Sequence, residues 1–111
     1  MDGERTVPFR DISWAEDAPG IMAREAEVEG VRWAIVEYEE GASREEWCED
    51  GHRGFVIRGE IRYEFDDDRE PLSAAEGEAF FLPLATIGAG AHRGRNLASG
   101  PTRLFLIDDP R

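Results

Sequence analysis

The chain contains no lysine: all 13 of its basic residues are arginine, set against 25 aspartates and glutamates in 111 residues. This absence excludes a lysine Schiff base, a lysine general base and the phosphate-binding lysine of a P-loop. Cys48 is the only cysteine, so no disulfide closes within the chain. No apolar run approaches the ~20 residues that span a bilayer, and nothing at the N-terminus resembles a signal peptide, so a cytoplasmic protein is expected. The net charge of −12 disfavours nucleic acid and anionic membrane surfaces, which are themselves polyanions, and leaves a small molecule or a basic partner. Gly88-Ala-Gly90 lacks the length and the strand–helix context of a dinucleotide fingerprint, so no nucleotide cofactor is expected.

Helical periodicity is missing as well, since no stretch repeats apolar residues every 3.6 positions over about 11 residues. What is present is strand-like text broken by glycine and proline. "MAREAEVE" and "VRWAIVEYE" flank a turn at Gly30, and "GFVIRG" and "EIRYEF" meet at Gly59-Glu60. "LSAAEGEAFFLP" carries a turn at Glu76-Gly77-Glu78, and "TRLFLID" is bounded by Gly100-Pro101 and Pro110. The run Asp66-Asp67-Asp68 reads as a solvated turn, because the distal glutamate of a calcium loop is missing. The sum is an all-β sandwich or barrel of seven to nine short strands in one domain over residues 22–108. An N-terminal arm over 1–21 precedes it, with a short edge strand near Ile12 to Trp14.

Two strands are apolar on both faces, with Trp33 and Ile35 alternating with Val36 and Tyr38, and Phe55 and Ile57 flanking Val56. A second copy covering the outer face predicts a homodimer, with cover by the N-terminal arm as the alternative. Trp14, Trp33 and Trp47 read as core or contact aromatics.

The stretch "EEWCEDGHRGFVIRGE" concentrates coordinating side chains. Strand alternation puts Glu46 and Cys48 on one face, and His52 returns to it after the turn at Glu49-Asp50-Gly51. A carboxylate, a thiolate and an imidazole are competent ligands for zinc or iron, and the second histidine, His92, is the remaining candidate from the far half of the chain. Other readings of the same residues stay open. Cys48 is a small buried hydrophobe in one, or a nucleophile activated by the imidazole in another. In others His52 hydrogen-bonds Glu46 with no metal, and His92 is exposed in its glycine-rich loop.

The order of these features resembles the small single-domain cupins. Counting back from Gly59, the glutamate position of their first motif falls on His52 and the paired histidine positions on Cys48 and Glu46, with Gly41 one residue nearer than the pattern asks. Their second motif is met by Gly77, Pro83, His92 and Asn96, with four extra residues between the proline and the histidine. "GFVIRGEIRYEF" followed by "GEAFFLP" is the most specific portion, and Trp-Cys-x-x-Gly-His stands where the first motif's ligands lie. The resemblance implies a jelly-roll β-barrel, commonly dimeric, with a divalent metal inside. Its site here would be Glu46, Cys48, His52 and His92, with Glu46 as ligand or general base. Tyr38, Val56 and Phe81 are expected to line a pocket for a small organic molecule. A metal-free ligand-binding or regulatory module is the alternative, and a fold with so many functions does not choose between them.

Overall fold

Alternation in the text becomes alternation in space. In the computed structural model, which describes residues 3–85 and 90–109, β1 (Ala15–Ala18), β2 (Ile21–Val28) and β3 (Val31–Tyr38) form an antiparallel run. Ala23 pairs with Val36 and Ile21 with Tyr38, all four on the buried face. The β2–β3 connection is the two-residue Glu29-Gly30, with φ of 53° and 77°. Two positive φ values match the right-handed twist of the flanking strands, and glycine carries one of them without strain.

The sheet continues through β9 (Thr102–Asp108), β4 (His52–Arg58) and β7 (Ala79–Leu82), giving the order β1-β2-β3-β9-β4-β7. A second, three-stranded sheet runs β6-β5-β8, from β6 (Leu72–Ala75), β5 (Glu60–Phe65) and β8 (His92–Asn96). Among the described residues there are nine strands and one 3-10 turn, Phe9–Asp11. The two sheets face one another and do not close into one continuous ladder. Between them lie Ile21, Val36, Val56, Ile61 and Leu104, each 0% exposed. Each such side chain withdrawn from water contributes about 2 kcal/mol before its entropy cost.

Several details depart from the sequence reading. The short edge strand is Ala15–Ala18 rather than the Ile12–Trp14 stretch, and it pairs directly with β2. Trp14 instead lies against the sheet's outer face, beneath the guanidiniums of Arg24 and Arg103, 4.1 and 5.4 Å from its ring centroid. Phe9 meets Phe105 edge-on at 6.2 Å, and Arg24 Nη1 donates to the Phe9 carbonyl at 2.9 Å. The arm therefore covers the outer face over β2, β3 and β9. It leaves Phe55, Ile57 and Phe81 exposed on β4 and β7.

Phe81 consequently faces away from the space between the sheets. On β7 it is Phe80 and Leu82 that turn inward, so the residue between them points out and is 57% exposed. Val56 turns inward, but it is sealed in the core between the sheets and does not reach the cavity wall. No helix among the described residues is long and apolar enough to cross a membrane.

Candidate metal centre

Cross-strand register assembles the site. His52 opens β4 directly opposite Asp108 near the end of β9, and the two side chains meet, His52 Nδ1 donating to Asp108 Oδ1 at 2.8 Å. Cys48 lies outside the named strands, yet it pairs with His92 at the edge of β8 through two backbone bonds: Cys48 N–H to the His92 carbonyl at 2.7 Å, and His92 N–H to the Cys48 carbonyl at 2.9 Å. The segment from Ser43 to Cys48 thus extends the smaller sheet past β8, and that addition carries the thiol to the histidine.

Cys48 Sγ lies 3.5 Å from His52 Nε2, the His52 and His92 rings are 4.9 Å apart at 73°, and one ligand atom from each of the three residues lies within 4.8 Å of the others. Tyr63 packs edge-on against His92 at 5.6 Å. Tyr38 and Tyr63 close on this region because β8 has Gly94 there. A β-carbon at that position would sit 2.9 Å from the Tyr63 ring and 3.0 Å from the Tyr38 hydroxyl.

The electrostatics follow from this packing. Burial opposes ionisation of Cys48, but hydrogen bonding to the His52 and His92 side chains and to the Asp50 backbone outweighs it, lowering the thiol from 9.0 to about 6. Burial likewise opposes charge on His52, and Asp108 and the Cys48 sulfur overcome it, raising the imidazole from 6.5 to about 9. Asp108 is held below its usual range, against burial, by His52 and Arg32. Without an ion the three form a chain of carboxylate, imidazolium and thiolate, so Nδ1 and Nε2 of His52 both carry protons at neutral pH. Burial raises the Tyr38 and Tyr63 phenols above 10.0, so both stay neutral.

His92 is the exception within this chain of contacts. It is 2% exposed, and its Nε2 is buried without a hydrogen-bond partner. Such an atom costs free energy unless something occupies its lone pair or takes its proton. A soft thiolate and two imidazoles, one of them oriented through Nδ1 by a carboxylate, form a donor set suited to a divalent transition metal. The residues present therefore fit such an ion.

Of the sequence-derived ligands, the structure brings Cys48, His52 and His92 together and leaves Glu46 outside the cluster. Glu46 is exposed in the segment before Cys48 and lines the same cavity nearer solvent, because that segment is held by β8 at Ser43 and Cys48 and bows outward between them. The cavity has a volume of about 640 Å³, and Tyr38, Val36 and Leu106 form part of its inner wall. Asp108, missed in the sequence, carried one usable signal: it continues the inward phase of Leu104 and Leu106, where an acid needs a partner. Arg44, which donates from Nε to the Tyr38 hydroxyl at 3.0 Å, gave no such signal.

With this geometry established, solved structures define the fold. KdgF from a Halomonas species superposes with a TM-score of 0.71 at 20% identity, over 99% of this chain and 96% of that one. An RmlC-like cupin from Shewanella frigidimarina gives 0.71 at 14%, over 98% and 94%. The Bacillus subtilis oxalate decarboxylase with Mn(II) centres gives 0.68 at 24%, over 91% of this chain and 28% of that one. The fold is that of the cupins. No family model and no curated protein matches the chain.

Proposed function

We propose that this protein binds a small organic molecule at a mononuclear divalent metal held by Cys48, His52 and His92. The observation that carries the proposal is the buried, partnerless Nε2 of His92 beside the thiol and the second imidazole. When bound, the metal would supply Lewis-acid polarisation of a coordinated oxygen or nitrogen. The chain's own residues do the rest. Asp108 keeps the Nδ1 proton of His52 and thereby aims Nε2 at the sulfur side of the cavity. Tyr63 packs over His92, and the apolar inner wall of Val36 and Leu106 excludes water from that side. Glu46, nearer solvent, stands where it meets a bound molecule rather than the ion.

Zinc and iron suit these donors, and the Mn(II) centres of the similarly folded decarboxylase support a divalent ion. A thiolate ligand also supports a reducing, cytoplasmic setting. The exposed Phe55, Ile57 and Phe81, side by side on β4 and β7, support a homodimer through that face.

Elemental analysis of protein expressed in metal-supplemented medium tests the proposal. About one equivalent of a single transition metal is expected, and less than about a tenth of an equivalent of any overturns it. One observation favours a second, metal-free reading: the carboxylate, imidazolium and thiolate already satisfy one another. The same measurement separates the two.

A further inference from the structure

The cavity walls select by charge. Seven carboxylates and three guanidiniums line it. All three guanidiniums are already engaged. Arg32 is held by Glu25 and Asp108, and Arg44 by Asp17 and the Tyr38 hydroxyl. Arg93 is held by Glu64 and the Glu45 carbonyl, and it stacks 4.1 Å over the Trp47 ring. An arriving carboxylate would find no guanidinium without first breaking an ion pair.

The acids are not matched in the same way. Asp17, Glu25 and Asp108 hold cations, but Glu45, Glu46 and Glu49 line the cavity on its exposed segment with no ion pair among the described residues. His92, whose Nε2 is buried without a hydrogen-bond partner, lines the same cavity together with Cys48 and His52. The cavity thus joins a cluster of coordinating side chains to a segment of uncompensated negative charge. The chain's net charge of −12 adds a long-range field that draws cations in and repels anions.

The geometry points to a cationic ligand: a small amine whose donor group enters the Cys48, His52 and His92 end while its ammonium rests against Glu46 and Glu49. The donor end of this inference rests on the metal-centred reading, and the charge end does not. It separates this cavity from one that receives a dianion through free guanidiniums.

Three imidazoles test it: histamine with an ammonium tail, imidazole-4-acetate with a carboxylate tail, and 4-methylimidazole with no charged tail. Dissociation constants are measured by calorimetry at about pH 8.5, where the imidazole rings are mostly neutral and the ammonium stays charged, on the protein as purified and after chelator treatment. Two carboxylates facing one ammonium near a wet surface predict that histamine binds about tenfold tighter than imidazole-4-acetate at low salt, with the neutral compound between them. Raising ionic strength to about 0.5 M shrinks that preference to about threefold. The exposed double variant Glu46→Gln/Glu49→Gln reduces it to about twofold, with the affinity for 4-methylimidazole unchanged.

Equal or tighter binding of imidazole-4-acetate overturns the inference. So does an undiminished preference in the double variant, or no binding by histamine at millimolar concentration. Failure of the metal reading looks different: chelation leaves all three affinities unchanged, and the charge order is read in the same titrations.

Discussion

Strand β8 carries two inward polar residues four positions apart, and the two meet opposite fates. Asn96 is 2% exposed with its polar atoms committed: Nδ2 donates among the carbonyls of Tyr38, Glu39 and Gly100 at 3.3, 3.0 and 2.9 Å, and Oδ1 accepts from the Ala98 N–H at 2.8 Å. Thr102 Oγ1 accepts from the Glu60 N–H at 3.0 Å and shares its one proton between the Glu60 carbonyl at 2.8 Å and Asn96 Oδ1 at 2.9 Å. His92, equally buried, leaves Nε2 with nothing. A satisfied buried network holds strands in place, and an unsatisfied buried atom beside a cavity marks where something else binds. One strand thus ties the closed end of the sandwich and furnishes the open end.

Asn96→Ala breaks the comparison hardest. It removes the side chain on which three carbonyls, an amide and a hydroxyl converge, so unfolding free energy measured in urea should fall by about 3 kcal/mol. His92→Ala sharpens the comparison from the other side. It forfeits the ring's packing against His52 and Tyr63 but no network of the Asn96 kind, so stability in chelator-treated protein should fall by less than in Asn96→Ala, by about 1 to 2 kcal/mol. Metal affinity, by competition with a chromophoric chelator, should instead fall by about 100-fold or more, as one of three ligands is lost. A large stability loss in His92→Ala with intact metal binding would remove the distinction.

How far the sequence displayed this contrast depends on which residues are considered. The hairpins were legible because Gly30 and Gly59 stand where positive φ is needed, at 77° and 87°, between runs of period-two alternation. The meeting of Cys48, His52 and His92 was legible through residue type and motif spacing alone. The structural cause, a bridge from Cys48 to β8 outside any strand, leaves no periodic trace. Phe81 was misplaced because a four-residue strand has too few positions to set its phase, so Phe80 and Phe81 are indistinguishable in the text. Glu46 shares Cys48's phase only if the segment is a regular strand, and it is not one. Asp108 lay 56 residues from His52, and only the β4–β9 register brings them together.

Within the open end, Arg32 holds Asp108, and Asp108 holds His52 through Nδ1 so that Nε2 faces the Cys48 sulfur. Asp108→Asn keeps the shape but no longer fixes which ring nitrogen carries the proton. Metal affinity should fall by about tenfold, a smaller loss than deleting a ligand, because outer partners tune a site that the ligands define.

The smallest effect decides which atom of the metal-free pair holds the proton. Metal titration near neutral pH releases one proton whether it leaves a thiol or an imidazolium, so counting protons does not distinguish them. Alkylation by iodoacetamide does, because only the thiolate attacks. With the thiol lowered to about 6, the rate in chelator-treated protein should rise through pH 6 and level off by neutral pH, whereas an ordinary cysteine is still rising above pH 8. His52→Ala removes both the hydrogen bond and the positive charge, leaving burial to push the thiol back up, so the midpoint should move upward and the rate at pH 7 should fall severalfold. The same change in the Asn96 network, Thr102→Val, should leave the midpoint where it was. If Cys48 in the unaltered protein instead titrates near pH 8.5, the thiolate–imidazolium pair does not exist, and the open end is as neutral as the closed one.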